Sequence, residues 1–174
     1  MKIYVASSWR NIMQPGVVAM LRSMGHEVYD FKNPEPGNNG FSWALIDPGW
    51  MTWTPEEHVA ALQHPVAQAG FARDMKALRE CDVCVLVLPC GRSAHLELGW
   101  AAGHGKKTYV LEVEPIEPDL MYLMCDRIFT DIGSMISHFM TCRHCGCTDD
   151  RACEGGCFWV SPNLCSACAE RGKV

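Results

Sequence analysis

The sequence predicts an α/β sandwich of the flavodoxin or Rossmann type: a five-stranded parallel sheet with helices on both faces, followed by a small zinc-binding module. Three observations predict it. Short β-rich runs alternate with helically spaced apolar residues through the first 140 residues. Residues 81–88, CDVCVLVL, form a continuous apolar run, as the buried middle strand of a parallel sheet requires. Seven of the eleven cysteines fall in the last 33 residues, a segment too short to build an apolar core.

The elements follow in order. Residues 2–7, KIYVAS, form the first strand, and residues 17–24 place Val18, Leu21 and Met24 on one helical face before Gly25 stops the helix. HEVYDF (26–31) is the second strand. The next stretch, to about residue 58, is rich in Pro, Gly, Asn and Trp and is expected to be a long excursion. Residues 71–80 resume a helical pattern, 81–88 are the third strand and 93–103 a helix. Strand 107–112, short helix 119–124, strand 127–131 and helix 133–140 close the layer. In such a sheet ligands bind beyond the carboxyl ends of the strands, where the strand order switches. The domains are therefore expected to be 1–140 and 141–174.

Composition narrows the function classes. An apolar fraction of 48% and a charged fraction of 20% are those of a soluble globular protein. A net charge of -5 argues against nucleic acid or anionic membrane as a partner, and no run approaches the roughly 20 apolar residues of a membrane span. The opening MKIYVASSWRN enters a strand pattern without signal-peptide features, so a cytoplasmic location is expected.

In the tail, Cys142 and Cys145, then Cys165 and Cys168 after nineteen residues, have the spacing of a four-thiolate structural zinc site. Each Cys-x-x-Cys turn can aim two sulfurs at one tetrahedral centre. Cys147, Cys153, Cys157 and His144 are left over; one could replace a ligand, or they could form part of a second site. With four acidic and four basic residues the tail does not look like a DNA-reading finger. A structural cap or a protein-binding module is expected instead.

Residues 89–106, PCGRSAHLELGWAAGHGK, follow the most apolar strand. With Ser93 at the helix start, Ser93, Glu97, Trp100 and His104 share one stripe, while Ala94, Leu98, Ala101 and Ala102 make the apolar face. His95 falls about 160° around the axis from Glu97, which makes it a poor candidate for Glu97's proton partner within the helix. Glu97 is expected in the first turn, beyond the central strand, and ionised near neutral pH. Ser93 and the free amides of that turn suit an anion such as phosphate, with Arg92 beside them.

Three segments, IYVASSW, ARDMKALRECDVCVLVLP and SAHLELGWAAGHGKKTYVL, resemble the nucleoside 2-deoxyribosyltransferase family, including its nucleotide N-glycosidase branch. The resemblance spans about residues 2–140. It implies that Glu97 attacks the anomeric carbon of the sugar and that Asp74, in the RDM segment, handles the nucleobase. It also implies a nucleoside or nucleotide as the small-molecule partner, catalysis without an organic cofactor, and a homo-oligomer. Where the transferases carry an acidic residue before the nucleophile, Gly91 and Arg92 stand here, which suits a phosphorylated substrate. Their sites are completed near the chain end, and here that end is cysteine-rich.

The excursion holds Trp43, Trp50 and Trp53. Either these pack the loop onto the core, or they form a lid whose rings stack on a base or sugar, with Trp43 and Asp47 as the contacts. After the first strand, Ser7 and Ser8 suit a turn or a substrate contact, and Arg10 can reach a phosphate. The glycine-rich fingerprint of a dinucleotide site is absent. Two other functions fit the same residues: a TIR-like NAD glycohydrolase or signalling domain, and a nucleotide-binding adaptor whose zinc module meets a protein partner.

Overall fold

A computed structural model describes residues 1–172. Five parallel strands, β1 (Lys2–Ala6), β2 (Glu27–Asp30), β3 (Val83–Val87), β4 (Lys107–Leu111) and β5 (Arg127–Phe129), lie in the order β2-β1-β3-β4-β5. The chain order switches between β1 and β3, so the crevice beyond Ala6 and Val87 is where this topology opens.

Period-two alternation sorts the strand residues into two cores. Ile3, Val5, Val83, Val85 and Leu111 point to one face, covered by helices α1 (Gln14–Ser23) and, last in the layer, Ile132–Phe139 through Val17, Leu21, Met135 and Phe139. Tyr4, Ala6, Cys84, Leu86 and Val110 point to the other. That face is covered by α3 (Pro65–Glu80) and α4 (Arg92–Gly103) through Leu78, Ala94, Leu98 and Ala101. All five residues of β3 are buried, as its unbroken apolar run requires.

The excursion is shorter than its composition suggests. Residues 55–61 form a helix, α2 (Pro55–Ala61), with a capping box: the Thr54 hydroxyl accepts from the Glu57 N–H, and the Glu57 carboxylate accepts from the Thr54 N–H at 2.7 Å. α3 begins at Pro65 rather than at residue 71, with His64 accepting from the Val66 N–H. Two 3-10 turns, Trp43–Leu45 and Trp50–Thr52, occupy the rest. A third, Leu120–Met124, stands where a short helix is expected, and α5 (Ile132–Phe139) closes the layer. Lys106 caps the far end of α3, its Nζ donating to the Arg79 and Cys81 carbonyls at 2.7 Å each.

The tail forms a two-stranded antiparallel ribbon, β6 (Trp159–Ser161) with β7 (Leu164–Cys165), then α6 (Ser166–Arg171). Its buried centre is made of cysteine: Cys142, Cys147 and Cys165, with Trp159 and Leu164 packed around them. No described helix is long and apolar enough to cross a membrane.

Candidate active site

β1 carries one polar aromatic, Tyr4, between the aliphatic Ile3 and Val5, and alternation turns it toward α3 and α4. Its ring stacks on Tyr29 of β2 at 5.2 Å, and the Tyr29 hydroxyl donates to the Asp74 carboxylate of α3 at 2.5 Å. Glu97 descends from α4 onto the same spot. Its carboxyl is pushed up from the ordinary 4.5 to about 8, first by burial and second by the charge of Asp74, while the Tyr4 hydroxyl pulls the other way. Asp74 is also raised by burial, offset by the Tyr29 hydroxyl and the Arg73 guanidinium. The Tyr4 hydroxyl is buried without a hydrogen-bond partner, and burial first, then the charges of Glu97 and Asp74, hold its proton on.

Two expectations about Glu97 are corrected here. Gly91, not Ser93, is the N-cap, and no side chain caps the helix, because a residue without a hydroxyl sits at the cap. Glu97 is thus the sixth helical residue, in the second turn and beyond the strongest reach of the helix dipole. Nor is it simply ionised at neutral pH: burial over the sheet and a second carboxylate outweigh the dipole. Two close carboxyls that both resist ionisation hold one proton between them near neutrality.

His95, on the far side of α4, is engaged elsewhere. Its Nδ1 lies 3.0 Å from the Gly91 carbonyl, which can only accept, so Nδ1 carries the proton and Nε2 accepts from the Tyr122 hydroxyl at 2.9 Å. His95 and Tyr122 line a groove of about 680 Å³, together with Arg92, Gly99 and Met121. This groove faces away from Glu97. Arg92 belongs to the groove, whereas Ser93, exposed, shares the helical stripe of Glu97.

At the switch point the organising residue is Asn11. Its side-chain amide donates to the Val87 carbonyl at 3.2 Å and the Pro89 carbonyl at 3.1 Å, and its Oδ1 accepts from the Met13 N–H at 2.8 Å and the Gln14 N–H at 3.2 Å. The Ser7 hydroxyl donates to the same Val87 carbonyl at 2.7 Å, tying the ends of β1 and β3 together. Ser8 accepts from the Arg10 N–H at 3.2 Å, and the Arg10 side chain is exposed at this rim.

Trp43 packs edge-on against Phe41, Trp53 and His58, at 4.8, 5.6 and 5.7 Å. Asp47 accepts from the Trp53 indole at 2.6 Å and the Gly49 N–H at 2.8 Å, contacts that hold its carboxyl below the usual range. The cluster is fastened at two points. Gly40 has a positive φ of 74° and presses on the Trp9 ring, and Phe41 lies on Gly70 of α3, where an added Cβ would come within 3.1 Å of it. Gly70 is one turn before Asp74 on α3, so the aromatic loop stands beside the carboxyl pair.

Neither Tyr4 nor Tyr29 is prominent in the sequence, although a tyrosine inside a buried aliphatic strand signals a hydroxyl that needs a partner. No family model and no curated protein matches the chain. Solved structures resemble it, two of them as follows. A 2-deoxyribosyltransferase from Bacillus psychrosaccharolyticus is 20% identical, with a TM-score of 0.48 over 78% of this chain and 90% of that one. The CMP N-glycosidase BcmB of Clostridium botulinum is 16% identical, with a TM-score of 0.43 over 75% of this chain and 91% of that one.

In the tail, Cys142, Cys145, Cys147 and Cys165 bring their sulfurs within 4.8 Å of one another, and so do Cys147, Cys153, Cys157 and Cys165. This donor set can hold a metal ion. Cys168 lies in the first turn of α6 beside Cys165, outside both quartets, and His144 is exposed and in neither.

Proposed function

We propose that the protein cleaves or transfers the N-glycosidic bond of a nucleoside or nucleotide, with Glu97 as nucleophile and Asp74 as acid and base. The observation that carries this reading is a pair of carboxyls that both resist ionisation beneath two stacked tyrosines, each raised first by burial and Glu97 also by the charge of Asp74. The resemblance of the surrounding segments to nucleoside 2-deoxyribosyltransferases points the same way.

The pair's single proton rests on Glu97 in the free chain; once it passes to Asp74, leaving Glu97 ionised, the pair is set for both halves of the reaction. A Glu97 oxygen attacks C1′, the C1′–N bond breaks, and its electrons go to the base nitrogen, which takes the proton from Asp74. The Asp74 carboxylate then removes a proton from water or from an acceptor base as it attacks C1′, and Glu97 leaves. The Tyr4 hydroxyl donates to Glu97 in its ionised form, and Tyr29 holds the orientation of Asp74. The aromatic loop, led by Trp43, supplies a flat apolar surface for the base. Arg10, Ser8, Ser93 and the uncapped amides of α4 suit a substrate phosphate, while Arg92 does not share their side of the helix.

The metal in the tail is zinc, which suits a site built only of thiolates, and its role is structural. The groove beside α4 exposes Leu96, Met121 and Met124, an apolar surface that suits a second copy of the chain.

The reading is tested by incubating the protein with nucleosides, nucleotides and NAD, in deoxy and ribo forms, with and without acceptor bases, and separating the released base. Base release from nucleosides or nucleotides is expected. Release of nicotinamide alone supports the TIR-like alternative, and ligand binding without turnover supports the adaptor.

A further inference from the structure

We propose that the tail is a binuclear centre: two metal ions of the zinc class held by all seven tail cysteines, with Cys165 as the thiolate shared between them. Two four-coordinate ions need eight ligand positions, and seven thiolates fill them when one is shared. The arithmetic matches the geometry. Four sulfurs each about 2.3 Å from one ion stand about 3.8 Å apart in a tetrahedron. The sulfurs of Cys145 and Cys165 are 3.7 Å apart, those of Cys147 and Cys157 3.8 Å and those of Cys153 and Cys165 3.8 Å, while Cys145 and Cys153, 3.6 Å apart, face each other across the sulfur of Cys165. One ion cannot bind so many sulfurs at that spacing.

Cys165 is the pivot. It belongs to both quartets, is completely buried, and its sulfur lies within 3.8 Å of cysteines from two different turns. Cys147 is also common to both quartets, but Cys168, three residues after Cys165 on the first turn of α6, supplies the fourth ligand on the Cys142 side and releases Cys147 to the other. The centres are then Cys142, Cys145, Cys165 and Cys168 for one ion, and Cys147, Cys153, Cys157 and Cys165 for the other.

The chain is shaped for this at the turns. Gly146, with φ of 70°, lets the backbone reverse between Cys145 and Cys147, and the Gly146 N–H bonds the Cys142 carbonyl at 2.8 Å. Gly155 and Gly156, at 84° and 85°, do the same between Cys153 and Cys157. Each thiol that becomes a ligand gives its proton to solvent, so binding is expected to tighten as pH rises through the thiol range.

The inference rests on the zinc reading of the tail and fails separately from it. The full chain, purified under reducing conditions, is weighed by native mass spectrometry and then exchanged with 113Cd for NMR. Two metals per chain and two cadmium resonances split by coupling through the shared sulfur are expected. No metal would overturn both the zinc reading and the second ion. One metal would overturn only the binuclear centre, and two uncoupled resonances would overturn the bridge. Cys157→Ala is expected to hold one metal instead of two; two metals retained in that variant would remove Cys157 from the set. Should it fail to fold, the wild-type count and coupling still decide.

Discussion

Glu97 was legible in the sequence because its helix follows the most apolar strand, yet its environment was not. Spacing within one helix separates Glu97 from His95, but the residues that set its proton affinity, Asp74 and Tyr4, come from α3 and β1. Between about pH 4.5 and 8 the folded chain keeps a proton on Glu97 that the unfolded chain has lost. Stability therefore falls as pH rises through that window, by at most roughly 5 kcal/mol for such a shift. Glu97→Gln, neutral at every pH, is expected to raise the melting temperature at pH 8 relative to wild type and to change it little at pH 5, as read by calorimetry. The same variant is expected to lose base release. The rate profile of the wild type is expected to be bell-shaped. Its alkaline limb lies near pH 8, where the carboxyl pair loses its last proton, and its acidic limb marks the uptake of a second proton. Asp74→Asn is expected to slow base release by about 10²–10⁴-fold, the usual worth of a positioned acid.

At the scale of elements, strands and their alternation were readable because burial on both faces leaves a continuous apolar run, while α2 was not. Only Ala61 of that helix is buried, so it has no apolar period to read; its signature is instead Thr54 three residues before Glu57. Thr54→Ala is expected to cost about 1 kcal/mol, measured by urea unfolding, with the site chemistry unchanged. The place of the aromatic loop was equally hidden, since Gly70 inside α3 looks like a helix defect until Phe41 is seen lying on it. Gly70→Val is expected to push Phe41 and its neighbours off α3. Tryptophan fluorescence would report the displacement, and KM is expected to rise more than kcat falls if the loop holds the base.

Across the whole molecule, an α/β layer whose apolar cores are built from both sheet faces adjoins a tail whose centre is sulfur. The first folds by burying apolar surface and the second by binding metal, so they respond to different insults. A strong chelator under reducing conditions is expected to abolish the structure around Trp159, seen in near-ultraviolet circular dichroism, while most helical signal from α1 to α5 remains. The cysteine spacing announced a metal, but the number of ions depends on which sulfurs meet. That is set by β7 placing Cys165 between two turns.

The most direct test of the account is the covalent intermediate. The protein is incubated with 2-deoxy-2-fluoro-arabinosyl nucleosides and their 5′-phosphates, in which fluorine slows turnover of a glycosyl-enzyme, and then digested and mapped by mass spectrometry. A sugar adduct on Glu97, absent from Glu97→Gln, is the predicted result. An adduct on another residue, or base release by Glu97→Gln within tenfold of wild type, would contradict it.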